Sequence, residues 1–492
     1  MEQDYIKLIF GLKLKQIRTD KELSLFGLSK LTGLSKSYLN EIEKGKKYPK
    51  PDKIAQLSEK LEVPYDEMVS LKLDKNLAPI GEILQSKILK EIPLELFGIQ
   101  ESTMIDIISN APSKVTAFIS TIIDIAKNYN FSKESFYLAS VRSFQEANNN
   151  YFDDLENAVL SFAKTYQVNL KAPVKSEDLE EILVEEYGYS INSTELESHT
   201  ELKNLRSVFV PKTKTLLLAK HIDDAQKSFI YAKEIAYNYL KIKERLYTFS
   251  WIKFENFDQV LNNFYASYFA GALVIPKARL MDDLKDLFSK KSFKSKDFER
   301  IINNYNASPE SVYHRLTNIL PKEFNLKSLF FLRFSHQKGT DDFVLNKELH
   351  LSKQQSPHAN ESDEHYCRRW ASLRVLKEIS NSGNAHEFDI QISNYPSEDK
   401  SYLILSSATA DPFVADQYRS VCVGIQINNQ FKRKVAFAES RSIKMIDVGV
   451  TCERCAISNC EVRQAKPTVI LSKQMDDKIA SVVDELQKKY SK

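Results

Sequence analysis

Three cysteines fall close together as Cys452, Cys455 and Cys460, in the pattern Cys-x2-Cys-x4-Cys. Two thiolates two residues apart in a turn can chelate one metal ion or cluster, and a third can fold back onto it. Such a set needs a fourth donor. Cys367, in the run His365-Tyr366-Cys367-Arg368-Arg369-Trp370, is the first candidate, with Cys422 in reserve. Four thiolates suit a structural zinc or a 4Fe–4S cluster, and spacing alone does not separate them. Free buried thiols are the plain alternative. Five cysteines in 492 residues, none before Cys367, are not a secreted disulfide framework.

A second set of side chains is suited to reading DNA. Between Leu23 and Gly45 the sequence predicts two short helices joined by a tight turn. Ser24 caps the first, which carries Leu25, Leu28 and Leu31 on one face, and Gly33 supplies the positive φ of the turn. Ser35 caps the second. Its Leu39 and Ile42 point inward, whereas Lys36, Ser37, Tyr38, Asn40 and Glu41 point outward. Polar side chains on the first turns of such a helix can reach base edges in the major groove, and Lys46 and Lys47 behind it can meet phosphate. A solvated basic loop is the simpler reading of those lysines.

The surrounding residues 1–75 read as wholly helical, with an amphipathic helix over Ile6–Ile17, another over Pro51–Leu61 and a last one from Pro64 to Leu71. This stretch resembles the Xre/Cro family of DNA-binding domains through Glu43-Lys44-Gly45, Pro49-Lys50-Pro51 and Leu61-Glu62-Val63-Pro64. The resemblance implies a five-helix, lambda-repressor-like fold. Gly27 stands where a capping-box Glu is common, so that box is absent.

Composition limits the remaining choices. Hydrophobic residues make up 42% and charged residues 27%, ordinary values for a globular chain whose length calls for several domains. A net charge of +3 neither demands nor excludes nucleic acid. No apolar run approaches a membrane span, and the N-terminus lacks a cleavable-signal pattern, so the expected location is the cytoplasm. Only 12 glycines, with no Gly-x-Gly-x-x-Gly or Gly-Lys-Ser/Thr run, speak against a nucleotide-phosphate loop.

Residues 76–160 read as a helical connecting and dimerisation region, including Val115–Tyr129 and one helix over Phe136–Phe162. In 161–325, strand-like runs at Ser207–Val210 and Thr215–Leu218 precede a helix expected over Asp223–Arg245. Residues 225–240 of that helix resemble the zinc helix of the ImmA/IrrE metallopeptidase-like family, in which two histidines four apart hold the metal and a glutamate acts as base. Here the matching positions are Lys233, Glu234 and Tyr237, and the third ligand would align near Tyr265. Only the glutamate is of the family's type, which implies a peptidase-like scaffold without catalysis. A plain amphipathic helix and an active regulatory metalloprotease are the rival readings. His314, on the helix that resembles the end of that family's domain, is expected to be merely packed or solvated.

The last part, 326–470, reads as an α+β sensor domain with a strand at Leu329–Phe334, a loop over 338–364 and a helix at Arg368–Ile379. Further strands are expected at Phe388–Ile392, Tyr402–Ser407, Val421–Ile427 and Lys434–Phe437. Residues 471–492 close with a helix over Lys473–Tyr490. The overall class is thus mainly α with α+β. Cys367-Arg368-Arg369-Trp370 and Cys452, Cys455, Cys460 followed by Arg463 resemble the paired motifs of the short-chain fatty acyl regulators, as does the order of all three modules. Arg368 departs from that family's usual Pro. The resemblance implies a homodimeric, non-enzymatic transcription factor on a double-stranded DNA operator. It also implies a 4Fe–4S cluster on Cys367, Cys452, Cys455 and Cys460, and an acyl-CoA effector. A non-catalytic, antitoxin-like interaction protein is the remaining alternative.

Overall fold

The computed structural model describes residues 2–71, 133–202, 204–248, 255–351, 364–438, 440 and 442–490. The chain divides into two compact units, Met1–Ser140 and Val141–Lys492. The helix expected at Val115–Tyr129 lies outside the described residues.

The first unit opens with α1 (Glu2–Asp20), α2 (Leu25–Thr32), α3 (Lys36–Glu43), α4 (Pro51–Leu61) and α5 (Tyr65–Val69). Their core is Phe10, Leu14, Leu28, Leu34, Leu39, Ile42, Ile54, Leu57, Leu61 and Met68. The expected face of α2 needs one correction. Leu28 and Thr32 are buried one turn apart, while Leu31 is exposed, because it lies a full residue-step around the helix from that stripe. Gly11 lets α1 approach α3 closely: a Cβ there would stand 2.2 Å from the Ile42 carbonyl oxygen.

The second unit takes in the C-terminal part of α6 (Lys133–Ala147), from Val141 on, and then α7 (Asp153–Thr165), where the sequence predicted one helix. Asn149 and Asn150 both take φ of 50°, the left-handed conformation that asparagine tolerates, and this breaks the helix. α8 (Ser176–Glu185), α9 (Asp224–Tyr239) and α10 (Phe257–Val274) share a core with a small sheet. That sheet has the order β1-β3-β2, from β1 (Ser190–Asn192), β2 (Ser207–Val210) and β3 (Thr215–Leu218), with β1 parallel and β2 antiparallel to β3. α9 stops at Tyr239 rather than running on to Arg245, and Lys241 follows with φ of 56°.

Next come α11 (Lys277–Ser289), α12 (Ser295–Asn303) and α13 (Pro309–Glu323), then a six-stranded sheet of order β5-β4-β8-β7-β6-β9. Its strands are β4 (Leu329–Gln337), β5 (Phe343–His350), β6 (His386–Tyr395), β7 (Lys400–Ala410), β8 (Gln417–Gln426) and β9 (Met445–Asp447). On β4, Leu329 and Phe331 enter the core shared with α11–α13, whereas Phe330, Leu332 and Phe334 face α14 (Ala371–Ser382). A strand covered on both faces reads as a continuous apolar run, as this one does. β5 was expected as loop. It is an edge strand with several exposed residues, so no buried alternation marks it. The strand expected at Lys434–Phe437 is instead the end of α15 (Asn429–Lys434) and a turn, with Asn428 capping the helix. The chain ends in α16 (Thr468–Tyr490). Among the described residues no helix is long and apolar enough to cross a membrane.

Candidate functional site

α3 carries the side chains expected to read DNA. The Ser35 hydroxyl accepts a hydrogen bond from the Tyr38 backbone N–H and fixes where the helix begins. Leu39 and Ile42 are fully buried, which turns Lys36, Ser37, Asn40 and Glu41 to solvent. Tyr38 is half-buried, with the Lys47 ammonium 5.2 Å from its ring centroid. Lys47 also stands 3.6 Å from Glu41, while Lys46 is exposed on the same loop. Behind the face, Glu43 receives Arg18 at 2.6 and 3.0 Å, and Arg18 also donates to the Leu23 carbonyl. That buried fork, which sequence reasoning missed, ties α1 to the C-terminal end of α3. The rigid face is built from a capped helix, a seated core and a two-pronged ion pair.

On α9, the positions expected to align with a zinc helix are occupied by a buried ion pair. Glu234 is buried and receives Arg245 Nη2 at 2.6 and 2.7 Å and the Tyr189 hydroxyl at 3.0 Å. The Arg245 guanidinium lies 4.0 Å from the Tyr237 ring centroid and 4.3 Å from that of Phe209. Burial would lower the Arg245 pKa, but the Glu234 charge outweighs it and holds the group cationic. Lys233 is also buried, and burial pushes its ammonium down to about 8. Tyr265 sits in an aromatic cluster with Phe144, Phe152 and Phe264. A carboxylate held this way has little freedom to take a proton from water. Arg245 carries no sequence signal of this role, because a buried pair across a loop has no periodicity. His314 stacks on Phe331 at 4.2 Å, the packed role expected of it.

The cysteine segment gathers two stretches of chain. Tyr366 and Thr451 form an antiparallel bridge, Cys367 N–H donates to the Val450 carbonyl, and Cys452 N–H donates to that of His365. Trp370 Nε1 donates to the Gly449 carbonyl at 2.9 Å. Arg463 then donates to the carbonyls of Cys452 and Cys455, at 2.9 and 3.2 Å, and to that of Ile457. Gly449 is required here, since a Cβ would stand 2.8 Å from Cys455 Sγ. Burial raises the Cys367 pKa, opposed by the Gly449 and Arg369 backbone N–H groups and reinforced by Cys455 and Cys452. The segments of Cys367 and Cys452 therefore pair through their backbones, and Cys367, Cys452 and Cys455 are buried, while Cys460 is only half-buried at the end of the loop.

Cys422 is placed differently. It lies on β8 in the core under α14, its thiol pushed up to about 12 by burial. All five thiols are free. Among the described residues no three Cys, His, Asp or Glu side chains are grouped closely enough to hold a metal as they stand. The soft sulfur donors nonetheless have the chemistry of a zinc or iron–sulfur ligand set.

Residues 11–73 match the family model described as Helix-turn-helix domain. No curated protein matches the chain. Among solved structures, a Mycobacterium tuberculosis transcriptional regulator is similar at a TM-score of 0.46 and 17% identity, over 66% of this chain and 92% of that one. The matched helix-turn-helix domain supports a DNA-binding regulator.

Proposed function

We propose that the chain is a homodimeric, sequence-specific transcription factor of the cytoplasm and not an enzyme. In this reading residues 1–75 read the operator and 76–160 connect and dimerise. Residues 161–325 are a peptidase-like scaffold, 326–470 sense the signal, and 471–492 form a closing helix. The observation that carries it is the α3 face: a Ser35-capped helix with Lys36, Ser37, Asn40 and Glu41 exposed over a fully buried Leu39 and Ile42. Two such helices in a dimer would meet half-sites about one helical turn apart, near 10 base pairs.

Cys367, Cys452, Cys455 and Cys460 would hold a 4Fe–4S cluster, or zinc in its place. When bound, the group would brace residue 367 to the 452–460 loop, and a cluster would add sensitivity to oxidants. A short-chain acyl-CoA is the effector class we favour, with genes of carbon or fatty-acid metabolism as targets. Such an effector acts only by binding the DNA-competent and incompetent states with different affinity.

Selection of bound duplexes from a random pool tests this reading. The expected result is one enriched motif with two related half-sites. A pool with no enrichment would overturn it in favour of an interaction protein. The metalloprotease reading is disfavoured by the Glu234–Arg245 pair, which occupies the carboxylate that the reaction would need.

A further inference from the structure

Helix α16 buries none of its residues. Helices in proteins gain most of their stability from a packed apolar face, and this one runs from Thr468 to Tyr490 with no apolar side chain buried against the described residues. Its apolar side chains are not scattered. Met475, Ile479, Val482 and Leu486 recur at alternating spacings of four and three, the seam of a coiled coil, and all are exposed.

We infer that α16 pairs with α16 of a second copy of this chain as an antiparallel, two-fold coiled coil. The charges select the partner and the direction. In the antiparallel register Ile479 of each copy meets Val482 of the other, and Met475 meets Leu486. The flanking positions then place Lys478 of each copy beside Glu485 of the other, two attractive pairs by symmetry. The other flank sets Asp476 against Val483, with no repulsion. A parallel pair in register would put Lys489 against Lys489 in the seam and would match no opposite charges. The helix holds four lysines against four acidic residues, whereas a helix that lies on a membrane is dominated by Lys and Arg on its polar face. This inference rests on the dimeric reading and moves the contact between copies from residues 76–160 to α16: a dimer that survives the Asp variant sinks the inference alone, whereas a monomeric wild type sinks the dimeric reading with it.

Sedimentation equilibrium of the full chain, without DNA, is the test. The wild type is expected to be dimeric, and an Ile479→Asp/Val482→Asp variant monomeric with an unchanged melt, since neither side chain is buried in the fold. Lys478→Glu alone should weaken association about ten-fold, and adding Glu485→Lys should restore it. A monomeric wild type, with α16 docked on its own chain or reserved for another protein, overturns the proposal. So does a dimer that survives the Asp variant. Failure of the charge swap to rescue overturns the antiparallel register.

Discussion

Lys36 begins α3 and is exposed, one residue after the Ser35 cap, so in the proposed reading its ammonium is at the helix end that would enter a groove first. Lys36→Ala should cost about 1–3 kcal/mol at the selected operator and less on random duplex, measured by fluorescence anisotropy at fixed salt. Equal losses on both would leave Lys36 a phosphate contact only. Glu234 gives the opposite kind of prediction. Glu234→Gln leaves the Arg245 guanidinium buried without its counter-charge and should destabilise the second unit by about 3–5 kcal/mol. A zinc peptidase would instead keep its stability on this change and lose cleavage of a partner. The exposed face of α3 was legible because helix periodicity and a serine cap announce it. The Arg18–Glu43 and Arg245–Glu234 pairs were not, since each joins residues with no fixed spacing between them.

At the scale of elements, the α1–α3 crossing depends on Gly11. Gly11→Ala would force its new methyl against the Ile42 carbonyl and should lower the melting temperature of the DNA-binding domain, with about 1–3 kcal/mol lost. α7 and α13 are joined by a buried pair, Arg315 to Glu156 at 2.6 and 2.9 Å, with the Tyr268 hydroxyl also donating to Glu156. Burial pushes the Glu156 carboxyl up, but Arg315 outweighs it and the net pKa lies below the ordinary 4.5. A depressed folded value means that the pair's stabilisation is present above pH 4.5 and is lost as pH falls through the folded value. The stability gap between wild type and Glu156→Gln, followed by urea titration from pH 7 downward, should therefore narrow below that point. The strands Ser207–Val210 and Thr215–Leu218 were readable to the residue because a polar turn, Pro211 to Lys214, separates two β-branched or apolar runs. β5 was hidden by its exposed edge, and the break between α6 and α7 by the left-handed tolerance of Asn149 and Asn150, which hydrophobic pattern does not register.

For the whole molecule, the prediction concerns what the thiols hold. Protein purified without oxygen should be brown with visible absorbance that Cys455→Ser removes, and native mass spectrometry should report the cluster's mass. A colourless preparation carrying zinc would assign the structural metal instead. The backbone pairing of the Cys367 and Cys452 segments and the Arg463 clamp needed the fold, because residue type says nothing of which carbonyls an arginine will meet. The same loop also anchors α16, because the Val469 N–H donates to the carbonyl of Glu453, the residue after Cys452. The helix is a lever with its fulcrum there. At 1.5 Å per residue it is about 33 Å long, so a tilt of about 10° at the fulcrum swings the far end by about 6 Å. A displacement at the cysteines too small to disturb their own hydrogen bonds would thus be magnified at Tyr490.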